Sequence, residues 1–286
     1  MFEMSALRCV TSVWIITPIC SFANLWQDWH ADNPATNYWQ AYNSLRSQGY
    51  FVEIIGRRWS PSTLSADAFG ALLLVDPERK FDVLERQHLA REVDRGLSVV
   101  IFADWYHEPT MERIRFFDEN TREWWTPVTG GANVIELNLL LQHWNITLDT
   151  SRVLAGFYGL LGAPALRARF ASGAAIASFP SGEIGGRVAY AHGLATEVVE
   201  QQGNVGVGSK SKPVPILGFY STAAAKTPGG GNGGRIVVYG DSNCIDASHL
   251  NGACWWLLEA ALAFATRGEI GDIVDRALVP WRGSGR

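Results

Sequence analysis

Cysteine is scarce in this chain, with four in 286 residues. Cys9 and Cys20 stand near the start, which leaves Cys244 and Cys254 as an isolated pair. A structural zinc wants four ligands, and no histidine pair at metal spacing stands near these two, so neither a metal nor another cofactor is expected. The pair either closes a short disulfide loop, which implies an oxidising compartment, or is two reduced buried thiols. A basic excess is also missing. Lys and Arg total 24 against 28 Asp and Glu, for a net charge of −4. That balance lacks the positive field a phosphate backbone demands, so no nucleic-acid partner is expected. No run of about 18 uncharged apolar residues exists, which argues against a membrane span.

What is present is a globular composition, 47% hydrophobic with 18% charged residues. It suits one large domain or two lobes with a sizeable core. The twelve tryptophans are many for this length; they either face a carbohydrate or protein partner or, more plainly, fill the core. Residues 1–24 look like a leader: Arg8 is the one positive charge, Val10 to Ile19 is a short apolar run, and Ser21-Phe22-Ala23 puts small residues at the cleavage positions. Alternatively Met1 is a spurious start inside a longer protein.

Further along, Trp39, Tyr42 and Leu45 recur at helical spacing and Gly49 stops that helix. Tyr50 to Ile55 reads as a strand. Ala71 to Val75 reads as a second strand, apolar throughout, as when both sheet faces are covered. Asp82 can cap a helix running to Arg95, with Leu84, Leu89 and Val93 inward and Gly96 closing it. Leu97 to Ala103 is a third strand, so this is a βαβ unit with parallel strands. Thr129-Gly130-Gly131-Ala132-Asn133 leads into a helix over Val134–Trp144; Asn133 reads as its cap, or the turn as an anion cradle. Short strands broken by glycine and proline follow from Leu154, and Gly203 to Pro213 reads as a polar loop. Val214–Tyr220 and Arg235–Tyr239 should pair antiparallel across a glycine-rich connection that is no P-loop, since it leads into a strand. The helix Trp255–Thr266 should pack on the sheet. The expected fold class is α/β, a doubly wound, mostly parallel sheet of the flavodoxin-like or amidotransferase-like kind. An α/β core lobe would occupy 25–150, a β-rich lobe 151–268 would complete the sheet and end in the helix, and 269–286 would be a tail.

Sites in such sheets gather at the carboxyl ends of strands. Asp104-Trp105-Tyr106 follows the third strand, and Gly240-Asp241-Ser242-Asn243 follows the strand Arg235–Tyr239. Gly240-Asp241-Ser242 with Asp246 and His249 imitates a hydrolase of the Gly-Asp-Ser type. Here, however, serine, aspartate and histidine crowd one loop, which is awkward geometry for a triad. An amidotransferase-like enzyme would need a nucleophilic cysteine on the elbow after the third strand, and that place holds Asp104. No catalytic residue is assigned. Asp104, Trp105, Tyr106, Trp124, Trp125, Asp241 and Asn243 are either a partner surface or satisfy one another at the sheet end. If Asp104 and Asp241 face each other, metal or shared-proton behaviour could follow, although no ligand count supports a metal. Asn145-Ile146-Thr147 is a glycosylation sequon.

Longer strings carry a resemblance. Leu45-Arg-Ser-Gln-Gly-Tyr-Phe-Val-Glu53, the run Asp94 to Tyr106, the run Phe117 to Trp125, Thr129 to Asn133, Val214 to Gly218 and Gly234 to Cys244 resemble the luminal region after the catalytic domain in the site-1 protease family of subtilisin-like proprotein convertases. The resemblance extends with interruptions from about Trp26 to Thr266. It implies a membrane-anchored serine endopeptidase that processes membrane-bound precursors in the ER and Golgi lumen. Its implied partners are a subtilisin-like catalytic domain in cis and a luminal protein cofactor. No Gly-Thr-Ser-Met-Ala or His-Gly-Thr block is present. The implied role is thus a non-catalytic accessory region, the alternative being a stand-alone α/β hydrolase that uses Gly240-Asp241-Ser242.

Overall fold

The runs Ala71–Val75 and Ser98–Phe102 are buried at every position, as strands covered on both faces must be. In the computed structural model they form the middle of a ten-stranded sheet. The structure describes residues 12–16, 37–55, 58–77, 79–106, 113, 115–125, 134–181, 186–199, 205–207, 212–222, 233–247 and 254–282. In chain order the strands of the large sheet are β1 (Ser12–Ile16), β2 (Phe51–Ile54), β3 (Ala71–Val75), β4 (Ser98–Phe102), β8 (Gly156–Leu160), β9 (Ala163–Phe170), β11 (Arg187–His192), β14 (Val214–Ser221), β15 (Arg235–Tyr239) and β16 (Leu278–Pro280). Their spatial order is β2-β1-β3-β4-β15-β14-β11-β8-β9, with β16 on β11. Pairing is parallel from β2 to β15 and antiparallel beyond it. β15 is therefore the junction strand, parallel to β4 on one side and antiparallel to β14 on the other. Among the described residues three small ladders accompany the sheet: β5 (Phe116–Asp118) with β6 (Glu123–Trp125), β7 (Thr147–Val153) with β10 (Gly173–Ser178), and β12 (Glu197–Val199) with β13 (Val205–Val207).

Helices cover both faces. On one side α1 (Trp39–Ser47) and α4 (Trp255–Arg267) bury Leu45, Leu257, Leu258 and Leu262 against Leu73, Val100 and Tyr239. On the other, α2 (Val83–Asp94) and α3 (Val134–Leu141) bury Leu89, Val93, Leu137 and Leu140 against Leu72, Leu74, Val99 and Ile101. The alternation of Leu72, Leu73 and Leu74 between the two clusters is the period of a pleated strand. A one-turn 3₁₀ helix, Gln142–Trp144, extends α3, and α5 (Asp272–Ala277) follows α4. The expected βαβ unit is β3, α2 and β4, and the expected antiparallel pair is β14 with β15.

Four expectations are corrected. The apolar run read as the core of a leader holds β1, hydrogen-bonded between β2 and β3. The segment after 268, expected as a tail, forms α5 and β16, and β16 pairs with β11. Within the supposed loop 203–213, Val205–Val207 is a strand. Leu84 does not point inward: it is 73% exposed, and α2 instead buries Glu85, His88, Leu89, Glu92 and Val93.

The cause is the loop under α2. Its backbone needs acceptors and donors, and the helix supplies them at spacings of three and four. Glu85 Oε1 accepts from the Trp59 backbone N–H (3.0 Å), the His88 ring meets the Leu64 carbonyl (2.7 Å), and Glu92 Oε2 accepts from the Ala66 N–H (2.8 Å). Asp82 and Glu85 form the capping box that starts α2. Burial pushes the Glu85 carboxyl up, but hydrogen bonds from Arg79, Trp59 and Asp82 outweigh it, and its pKa lies below the ordinary value.

Candidate functional site

The register of the parallel strands brings three carboxylates to one sheet end. Phe102 of β4 pairs with Tyr239 of β15 and with Val75 of β3. Two residues beyond the first pair, Asp104 and Asp241 stand level. Asp76 stands one residue beyond Val75, in a left-handed conformation (φ 44°), with its N–H donating to the Phe102 carbonyl (2.9 Å). Asp76, Asp104 and Asp241 are all buried. The sequence reading missed Asp76. The usable signal was its place right after an all-apolar strand, where a polar residue has left the core but not the sheet end.

The turn after β15 is shaped by an absent side chain. A Cβ on Gly240 would lie 1.9 Å from the Ala174 carbonyl oxygen, and one on Gly173 would lie 2.0 Å from the Gly240 oxygen. Only glycine lets the β10 backbone lie against this turn, where the Ala174 N–H donates to the Gly240 carbonyl (2.9 Å). Asp241 faces inward at 0% exposure, accepting from the Ala171 N–H (2.9 Å) and the Asn243 N–H (3.0 Å). The chain then makes a single 3₁₀ turn, Asn243–Ile245. This turn aims the Asn243 amide at Asp104 Oδ2 (2.8 Å), while Oδ1 accepts from the Trp105 N–H (2.6 Å). Cys244 of the turn is joined to Cys254 at the start of α4, with the sulfurs 2.19 Å apart and both residues buried. Asp246 accepts from the Asn37 side chain (3.4 Å), and the Ala247 N–H donates to the Asn37 carbonyl (2.6 Å), so the far end of the turn is tied to the entry of α1.

The electrostatics follow from burial. Desolvation, then the charges of Asp76 and Asp241, push the Asp104 carboxyl well above the carboxylate range, against the donors of Trp105 and Asn243. Burial pushes Asp241 up to about 7 despite its N–H donors. Beneath them the Tyr158 and Tyr239 hydroxyls share a hydrogen bond (3.0 Å), and burial raises both phenols.

Ser242 is a poor nucleophile in this setting. It is 1% exposed, and its hydroxyl faces the Asp104 carboxylate at 3.5 Å. His249 and Asn133 lie outside the described residues. Among the described residues no group of three His, Cys, Asp or Glu side chains could hold a metal ion. No helix among them is long and apolar enough to cross a membrane.

Of the residues singled out from sequence, Asp104, Asp241 and Asn243 come together. Trp105 lies under the Arg152 guanidinium (4.9 Å to the ring), and Tyr106 packs on the α2–α3 side of the core. Trp124 does not join them: it is 62% exposed on β6, edge-on to Phe117 with Arg115 over its ring. The side chain of Trp125 lies outside the described residues. Asn145 is exposed in a left-handed turn (φ 55°) that closes the 3₁₀ helix after α3.

Comparison with known proteins gives consistent results. The family model for the MBTPS1 fourth GATase-like domain matches residues 12–277. The membrane-bound transcription factor site-1 proteases of Cricetulus griseus and Homo sapiens are each 42% identical over 245 residues, covering 84% of this chain and 21% of those proteins. Subtilisin-like protease SBT6.1 of Arabidopsis thaliana is 39% identical over 245 residues, covering 84% of this chain and 22% of that protein. The chain thus spans about a fifth of the length of these relatives. Among solved structures, the mmIFT52 N-terminal domain superposes with a TM-score of 0.58 at 15% identity, covering 91% of this chain and 100% of that one. That is a likeness of fold.

Proposed function

We propose, from the premise that this chain belongs to the MBTPS1 fourth GATase-like domain family, that it is a non-catalytic accessory region of a site-1-protease-like serine endopeptidase. The observation that carries this reading is at the strand ends. An amidotransferase-like enzyme needs an exposed nucleophile and a base there. This chain has Asp104 after β4, and a buried Ser242 turned onto it. The polar groups of the turn are spent on each other, on β10 and on the entry of α1, which is the arrangement of a scaffold.

In this reading the chain supports the folding of a subtilisin-like catalytic domain in cis, or holds a luminal protein partner, within the ER and Golgi lumen. The Cys244–Cys254 bond suits an oxidising lumen. A luminal place also suits the sequon Asn145-Ile146-Thr147, whose Asn145 is exposed and which we include as a glycan site.

The test is an exchange in the Homo sapiens relative. Deleting its matching region is expected to lower the yield of processed, secretory-pathway-competent protease, and inserting residues 12–277 of this chain is expected to restore it. The restored protein should lose mass on enzymatic N-glycan removal, and lose less when it carries Asn145→Gln. Unchanged yield and precursor cleavage after the deletion would contradict an accessory role.

A further inference from the structure

Helix α4 has a second face beside the one it buries on the sheet. Trp256, Glu259, Ala260, Ala263 and Arg267 recur at spacings of three and four, which puts them side by side. They form one wall of an open cleft of about 700 Å³, within the size range of small-molecule sites. Gln48 and Tyr50, between α1 and β2, line it from another side, and Asp272 lines it from the start of α5. From Trp256 to Arg267 the helix rises roughly 16 Å. The cleft is long enough for more than one pyranose ring.

The lining combines three kinds of group. Trp256 is partly buried, and its indole nitrogen is shielded, with no hydrogen-bond partner. The ring therefore meets the cleft with carbon. Glu259, Asp272 and Gln48 are exposed, and each ends in a planar pair of polar atoms. The Gln48 amide donates to the Ser44 hydroxyl (3.2 Å), and its oxygen is an acceptor besides. Arg267 is held beside them: its Nε donates to Glu269 (2.7 Å), and the Tyr50 phenol interacts with the same guanidinium. An aromatic carbon surface thus lies among planar polar side chains of both signs.

We propose that this cleft binds a neutral oligosaccharide. A pyranose carries C–H groups on its face and hydroxyls around its rim. The C–H face suits the negative face of an aromatic ring, here that of Trp256. A hydroxyl donates and accepts at once, so the rim can donate to the carboxylates of Glu259 and Asp272 and accept from Arg267. Charge decides against the other ligand classes. A cationic peptide would meet the Arg267 guanidinium, and an anionic ligand would meet the two carboxylates. An uncharged polyol satisfies both. The sugar is either free or carried on a glycoprotein, and the recognition chemistry is the same. The inference stands on this cleft alone and holds whether or not the chain serves a protease.

The test is saturation-transfer NMR on the full chain with neutral gluco- and mannotrioses, a sialylated trisaccharide and a lysine-rich peptide as probes. A neutral trisaccharide should bind with a dissociation constant on the order of a millimolar. Trp256→Ala should abolish the signal. Glu259→Gln and Asp272→Asn, at exposed positions where folding is not at stake, should each weaken binding on the order of tenfold. A second arm uses a glycoprotein with neutral N-linked glycans. Tighter binding than the free sugar, lost when the glycans are removed, assigns the site to a carried glycan; equal or weaker binding assigns it to a free one. No neutral sugar bound, binding of only the sialylated sugar or the peptide, or affinity unchanged in all three variants would overturn the proposal.

Discussion

Replacing Gly240 by alanine should destabilise the domain by about 3 kcal/mol, the upper range for forcing a methyl group into a packed interior. The clash is with backbone: the new Cβ would sit 1.9 Å from the Ala174 oxygen and 3.1 Å from its carbonyl carbon. No rotamer relieves that. β10 must move off the turn, which breaks the Ala174–Gly240 hydrogen bond and pulls on the Ala171–Asp241 one. The control is Gly271→Ala, where nothing lies within 4 Å of the new atom. Gly271 is the N-cap of α5, so the change should cost under about 1 kcal/mol. Urea midpoints of the two variants at one pH decide the matter. Equal midpoints would mean that β10 does not lie on the turn.

Opening the disulfide is the second large effect. Cys244 and Cys254 close a loop with a sequence separation of ten, and tying such a loop in the unfolded chain stabilises the fold by about 2–3 kcal/mol. Cys244→Ala should lose that amount, and a reducing agent should lower the wild-type midpoint by a similar amount without moving the variant. Cys254 is the less clean site: it is the N-cap residue of α4, where a serine would gain a capping bond and mask part of the loss. An unreduced peptide map should recover the two cysteines in one linked peptide. Two free thiols, with no response to reductant, would remove this support for an oxidising compartment.

Much of this architecture was legible in the residues. Ala71–Val75 and Val99–Phe102 are apolar on both faces, and that pattern has few uses other than a buried parallel strand. Asp82 and Glu85 announce the start of α2. What misled was chemistry with two uses. Val13–Ile16 of β1 is apolar and short, which suits a leader as well as a strand, and only its partners β2 and β3 distinguish them. Leu84 looked like a core residue because a helix is expected to bury its apolar side, whereas α2 covers a loop and needs Glu85, His88 and Glu92 beneath it. At the sheet end, Asp104, Asp241 and Asn243 could be placed by strand counting. Asp76 required the register of β3 on β4. Trp124 was grouped with them only by composition, and the hairpin that carries it turns the ring out to solvent.

A scaffold and an enzyme differ most at the turn that follows β15, where Ser242 stands. The direct measurement is reaction of the folded chain with a fluorophosphonate probe, alongside ester hydrolysis. A scaffold with Ser242 buried against Asp104 should take up no label and hydrolyse nothing above background. Labelling that disappears in Ser242→Ala would contradict the account and make this turn a nucleophile elbow.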